Sequence, residues 1–179
     1  MKASAAGCEI VIFKCDVKGA YRLIPMHPLW QMLQAAKLPI GLYVINRTNT
    51  FGSGASGRCW WCLMSLVLWV ACRHFDCQKL FDYVDDDLSA NFIDSLTLHP
   101  QYQQHMPATQ VCFLSCLDTL VVPHDLAKQL WDYALTVTGL LQVVDGNQVL
   151  IRMPEASHLE LLRALEDFIA FGMCAFCRC

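Results

Sequence analysis

Basic charge is what this sequence most lacks. Its 179 residues carry 13 lysines and arginines against 16 aspartates and glutamates, a formal net charge of -3. Proteins that hold nucleic acid through its phosphates ordinarily show a basic balance, so bulk electrostatics do not suggest such a partner. Charge of either sign is scarce at 16%, whereas hydrophobic residues reach 55%. That balance excludes a disordered chain and predicts one domain with a real core. The apolar excess suits a domain stripped of its neighbours, with once-packed faces exposed. A secretory leader is missing, because Met1 to Gly7 is small and polar with no apolar stretch behind it. The eleven cysteines therefore read as reduced thiols of an intracellular protein, cytoplasmic or nuclear. A membrane span is missing too. The apolar stretch from Cys59 to Cys72, bracketed by Arg58 and Arg73, falls short of the ~20 residues a crossing needs and reads as a buried core helix. No internal repeat or low-complexity linker stands out. The six histidines show no metal-ligand spacing, and Ser56 has no histidine and aspartate partners at motif spacing, which sets a hydrolase aside.

What is present reads as an α+β domain. Glu9 to Cys15 is a β-branched run that predicts a buried strand ending at Asp16. Val17 to Arg22 is a short turn or helix, and Pro25 and Pro28 break regular structure. Gly41 to Asn46 is a short strand, and Asn49 to Gly57 is a loop leading into the apolar helix. Lys79 to Asn91 reads as strand, tight acidic turn, strand. His99 to Pro107 is polar and is expected to be a loop. Thr109 to Leu120 has the spacing of an amphipathic helix. Asp145-Gly146-Asn147 between two apolar runs signals a hairpin. Ser157 and Glu160 form a capping box for a helix to Ala170 with a stripe of Leu159, Leu162, Leu165 and Ile169, ended by Gly172. Helices on one face of an antiparallel sheet are the expected architecture.

The chemistry lies in the carboxylates. Asp16 ends one strand, and Asp85 and Asp86 sit at the tip of a strand-turn-strand. With the first strand between or beside those two, all three meet at one edge of the sheet. Clustered carboxylates repel and need cations, and hard oxygen donors select Mg²⁺ or Mn²⁺ over zinc. A pair of such ions about 3.5–4 Å apart can activate an attacking hydroxyl and stabilise a leaving oxygen in phosphoryl transfer. An acidic turn is ordinarily just a solvated loop. Here Leu80-Phe81-Asp82-Tyr83-Val84 before it is strand-like, and Asp16 shares that setting.

These residues resemble those of the reverse transcriptases of retroelements. Phe13-Lys14-Cys15-Asp16-Val17-Lys18-Gly19-Ala20-Tyr21-Arg22, followed by Leu23 to Pro28, is similar to the family's first palm motif. Phe51-Gly52-Ser53-Gly54-Ala55-Ser56 looks like its glycine- and serine-bearing loop, and Tyr83-Val84-Asp85-Asp86 like its catalytic hairpin. The resemblance covers roughly Ile10 to Phe168. It implies a polymerase palm with the fingers largely missing. It further implies that Asp16, Asp85 and Asp86, with the backbone of Val17, bind two Mg²⁺ ions, Mn²⁺ being an alternative. Tyr21, Phe51, Gly52, Ser56 and Lys128 would meet the nucleotide or template, Tyr21 disfavouring a ribose 2′-hydroxyl. Gly139 and Leu140 would belong to the primer grip. The partners implied are template-primer, deoxynucleotides, and missing fingers and thumb domains, with no membrane.

The expected division is a flexible N-terminus (1–7), a palm (8–153) with a remnant of the fingers insertion at 24–50, a thumb-like or connecting helix (154–172) and a cysteine-rich tail (173–179). The sequence departs from the family in Asn49-Thr50 before Phe51, where leucine-proline is usual, and in Gly57, where proline is frequent. The upstream basic region is not seen. The chain as it stands is therefore read as a catalytically inactive relic or interaction module rather than a working polymerase. A cysteine-rich zinc module is a further alternative, resting on Cys174, Cys177 and Cys179. No zinc ligand set is expected, however, because no fourth ligand is identifiable. Cys59-Trp60-Trp61-Cys62 has the spacing of redox and zinc sites but, at the head of an apolar helix, reads as packing. Trp60, Trp61 and Trp69 are likewise expected in the core.

Overall fold

The computed structural model describes residues 9–84, 86–137, 139–145 and 148–171. The Asp145-Gly146-Asn147 turn is only partly within them, and Gly172 and the cysteine tail lie outside. Strand β1 (Ile10–Asp16) is buried along its length, with only Lys14 and Asp16 half-buried. Such two-sided burial explains its nearly unbroken apolar run. Gly19, in the left-handed region at φ 74°, turns the chain into a 3₁₀ turn at Ala20–Leu23. Next comes a short helix α1 (Pro28–Gln31), with proline at its first position. Strands β2 (Ala35–Lys37) and β3 (Tyr43–Ile45) pair antiparallel as an exposed hairpin.

Helix α2 (Ser56–His74) leads to β4 (Phe81–Tyr83) and β5 (Asp86–Phe92). Strands β6 (Leu96–His99) and β7 (Gln104–Pro107), helix α3 (Ala108–Thr119) and strand β8 (Leu130–Asp132) follow. Strands β9 (Ala134–Val137), β10 (Leu140–Asp145) and β11 (Gln148–Arg152) precede the last helix, α4 (Glu155–Phe171). The main sheet has the order β4-β5-β1-β8, all antiparallel. A second sheet has the order β11-β10-β9.

Strand alternation decides which residues face what. Phe13 and Cys15 point to one face, where they join Trp60, Met64, Val67 and Ala71 of α2 and Phe113, Leu114, Cys116 and Leu117 of α3 in the main core. Each buried Val, Leu, Met or Phe among them stabilises the fold by about 1.5–3 kcal/mol relative to exposure. Ile12 points to the opposite face and meets Leu135 and Val137 of β9, with Leu88, Ala90 and Val144 packed alongside. The expected mixed fold with antiparallel sheets is therefore present. Helices α2 and α3 share one face, and the β9–β11 sheet covers part of the other.

Four features of the chain differ from what its sequence leads one to expect. Residues His99 to Pro107 are not a loop: β6 and β7 form a hairpin from Leu96↔Pro107 to His99↔Gln104. Burial of His99 and Met106 against the rest of the chain holds it, so alternation within the polar segment gave no warning. Helix α2 is one-sided rather than wholly buried: Trp60 is fully buried, but Trp61 and Trp69 are 62% and 56% exposed. Its buried positions Ser56, Trp60, Met64, Val67 and Ala71 follow helical spacing, and the apolar residues between them simply face outward. Cys59 and Cys62 are exposed on the same helix and are not packed. The capping box fails as well. Helix α4 starts at Glu155, and His158 N–H donates to Pro154 O at 2.9 Å, so Ser157 already lies inside the first turn. The Leu159, Leu162, Leu165 and Ile169 stripe of α4 is exposed.

One helix cap comes from a distant residue. Pro107 precedes α3 and has no capping side chain. With its amide oriented to satisfy its neighbours, Asn91 Oδ1 on β5 accepts from Thr109 N (3.0 Å), Ala108 N (3.3 Å) and Thr109 Oγ1 (3.0 Å). Deeper in α3, buried Gln110 donates from Nε2 to Lys14 O (3.3 Å) and Leu130 O (3.5 Å), tying the helix to two strands.

Candidate functional site

The β1–β5 register sets the site. Asp16 and Asp86 are direct cross-strand partners, the last residue of β1 facing the first residue of β5. Asp86 also pairs with Tyr83 across the β4–β5 turn. Between them Val84 has φ 64°, a left-handed conformation costly for a β-branched residue, roughly 1–3 kcal/mol. Asp85, the other turn residue, lies outside the described residues. The expected meeting of Asp16 with the acidic turn at one edge of the sheet is thus seen for Asp86.

Like charges directly opposite one another on a sheet destabilise it, and two ammonium groups offset them here. Lys14 Nζ lies 2.7 Å from Asp86 Oδ1, with both side chains largely buried. Lys128 Nζ lies 3.0 Å from Asp16 Oδ1 and 3.3 Å from Oδ2, on a side chain that is 57% exposed. Gln129 Nε2 donates to the Asp16 carbonyl at 3.0 Å and to Asp125 O at 2.9 Å. Neither Lys14 nor Gln129 was expected to have a role at the site. Lys14 could have been found as the one cation in an apolar strand, two positions from Asp16 and so on its face. Gln129 carried no signal, since only the chain path brings it beneath Asp16.

The segment after Asp16 is braced by the same stretch of chain that carries Lys128 and Gln129. Val17 is buried and bridges His124, and Lys18 N–H donates to Pro123 O at 2.8 Å. His124 itself is held between Tyr102 Oη (2.6 Å from Nδ1) and Asp118 Oδ1 (2.9 Å from Nε2). Next along the chain, Tyr21 is half-buried with its ring edge-on to Phe51 (4.9 Å, 63°) and to Trp60 (6.3 Å, 83°). The first motif and the glycine-bearing loop therefore meet. Gly52, at φ 86°, lets that loop turn, and Phe51 is exposed. Ser56 is buried, so Phe51 and Gly52, rather than Ser56, face solvent. Gly139 (φ 78°) opens β10, and Leu140 shares a cleft of about 210 Å³ with Tyr83, Leu88, Val137, Gln142 and Ile151.

The donor set suits a hard divalent cation. Asp16 and Asp86 offer adjacent carboxylate oxygens on one partly buried face, and each already draws a positive group. Among the described residues no group of three or more His, Cys, Asp or Glu side chains is placed to hold a metal. The third carboxylate of the expected set is Asp85. Also among the described residues, no helix is long and apolar enough to cross a membrane.

No family model matches the chain, and no curated protein does. Solved structures do match. The chain is similar to the foamy viral protease-reverse transcriptase in complex with dsDNA, with TM-score 0.55 and 14% identity over 85% of this chain and 28% of that one. It is also similar to the foamy viral protease-reverse transcriptase in complex with RNA/DNA hybrid, with TM-score 0.57 and 15% identity over 86% of this chain and 18% of that one. The chain thus spans less than a third of the length of the structures it matches. At these identities the likeness establishes the fold, that of a viral reverse-transcriptase fragment.

Proposed function

We propose that this chain is the palm of an RNA-directed DNA polymerase of retroelement type, built to extend a primer 3′-hydroxyl with deoxynucleotides. The register of Asp16 on Asp86, within a reverse-transcriptase-like fold, is the observation that carries the reading. On this reading Asp16, Asp85 and Asp86, with the backbone of Val17, hold two Mg²⁺ ions, with Mn²⁺ as a substitute. When bound, the ions supply charge stabilisation and activation of the attacking hydroxyl. The protein's share is positioning. Gln129 and the His124 bridge fix the backbone at Asp16 and just after it. Tyr21, braced by Phe51 and Trp60, lies under the incoming sugar and disfavours a 2′-hydroxyl. Phe51 and Gly52 meet nucleotide or template, with buried Ser56 supporting their loop. Lys128 brings its ammonium to the phosphates. Gly139 and Leu140 hold the primer beside Tyr83. Segment 24–50 is a fingers remnant, and α4 is a thumb-like or connecting helix. Template-primer is the partner, in keeping with the dsDNA and RNA/DNA hybrid named for the similar structures.

Primer extension by the full chain in Mg²⁺ or Mn²⁺ tests the reading. Extension is expected to vanish in Asp16→Asn and Asp85→Asn, and equal signal from Asp85→Asn would sink it. A second reading, a catalytically silent relic or interaction module, is favoured by one observation: lysine ammonium groups neutralise both described carboxylates. It predicts no extension by the parent chain under any divalent ion.

A further inference from the structure

Lys14 and Lys128 both sit on carboxylates of the proposed metal site, but they are built differently. Lys128 reaches Asp16 from beyond the sheet, on an exposed side chain that can withdraw into solvent at small cost. Lys14 belongs to β1 itself. Its register partner on β5 is Leu88, so its side chain runs diagonally to Asp86, two residues away on the same face. The Lys14 side chain is 18% exposed and that of Asp86 8%, with Nζ 2.7 Å from Oδ1. Strand alternation and the Leu130 partner on the other side leave this side chain no route off that face without disturbing the central strand. The charge next to Asp86 is therefore carried by the central strand itself.

We infer that Lys14 is a built-in counter-cation of the carboxylate pair. It holds Asp16 and Asp86 in register without metal and, by occupying Asp86 Oδ1, weakens the hold of the site on divalent ions. A hard divalent cation would sit about 2.0–2.1 Å from a carboxylate oxygen. At Asp86 it would be close to an ammonium already hydrogen-bonded to that group, and the two positive charges repel within a poorly solvated pocket. Lys14 thereby sets the ion concentration at which the pair loads. The inference rests on the reading of Asp16 and Asp86 as metal ligands.

The test uses the full chain and two readouts independent of polymerisation. These are Mn²⁺ binding, followed by loss of the free-ion electron paramagnetic resonance signal, and thermal melting with and without chelator. Lys14→Met removes the charge at similar volume. Lys14→Gln, run beside it, keeps polarity at the position should the methionine variant fold poorly. Both are expected to bind Mn²⁺ more tightly than the parent because the repelling charge is gone, by about 10–100-fold, the size but not the sign of the change seen when a supporting partner of a metal ligand is removed. Both are also expected to melt lower than the parent in chelator, and Lys14→Met combined with Asp86→Asn should recover that loss. Parent-like Mn²⁺ affinity in both variants, with binding still weakened by Asp16→Asn, overturns the role of Lys14 and leaves the metal-site reading standing. Absence of Mn²⁺ binding in parent and variants alike overturns both.

Discussion

Replacing Trp60 by alanine should cost the fold about 3–5 kcal/mol, while the same change at its neighbour Trp61 should cost within about 0.5 kcal/mol. The two residues are adjacent in sequence and identical in chemistry. Trp60 is fully buried where α2 packs on the main sheet, whereas Trp61 is 62% exposed. Truncating Trp60 loses its transfer free energy and leaves a cavity against Tyr21, which leans edge-on against its ring. Against a total stability of about 5–15 kcal/mol that is a large fraction. At a urea dependence of about 1–3 kcal/mol per molar, the midpoint should fall by one to several molar. The Trp60 indole N–H is buried without a hydrogen-bond partner among the described residues. Trp60→Phe removes that unpaired donor, a burden of about 1–3 kcal/mol, and should therefore cost well under the alanine change. Urea titration followed by far-ultraviolet circular dichroism measures all three without relying on the fluorophore removed. Equal losses for Trp60→Ala and Trp61→Ala would refute the one-sided packing of α2 and the placement of Tyr21 that depends on it.

Asn91→Ala should cost about 1 kcal/mol in the same titration, because it uncaps α3. Lys128→Met should change stability by less than about 1 kcal/mol, since its pair with Asp16 is solvent-screened, yet it should depress primer extension if the proposed function holds. Burial holds the His99 imidazole below its ordinary value, with Asp118 opposing and His124 adding to the shift. The unfolded chain then takes up a proton that the folded chain refuses. Stability should fall as pH drops below about 6.5, and thermal melts of His99→Gln should show a flatter acid limb. Burial, and then the neighbouring Cys112, Cys116 and Cys72 thiols, push the Cys77 thiol up to about 12. Iodoacetamide at pH 8, read by peptide mapping, should modify exposed Cys59 and Cys62 and spare Cys77; early labelling of Cys77 would contradict its burial.

Local information carried much of the fold. The β-branched run of β1, the apolar run of α2, the spacing of α3 and the acidic turn between β4 and β5 are all short-range patterns, and the structure has each of these elements. Two-residue alternation even implied that Lys14 and Asp16 share a face. Where the pattern was ambiguous, tertiary contact decided. Apolar residues all round α2 could not say which side was buried, because the sheet rather than the helix makes that choice; hence Trp60 is inside and Trp61 and Trp69 are outside. The β6–β7 hairpin is polar and depends on burial of His99 and Met106, which no local period records. The α3 cap comes from Asn91, 18 residues before Thr109.

The same division runs through the site. Sequence by itself determined which carboxylates are available and that a strand end and a strand turn carry them. Only the tertiary structure set Asp16 opposite Asp86, brought Lys128 and Gln129 to Asp16 from more than a hundred residues away, and laid Lys14 across to Asp86. Strand register is a non-local quantity, fixed by which faces the core buries, and the charges that meet across it are its consequence.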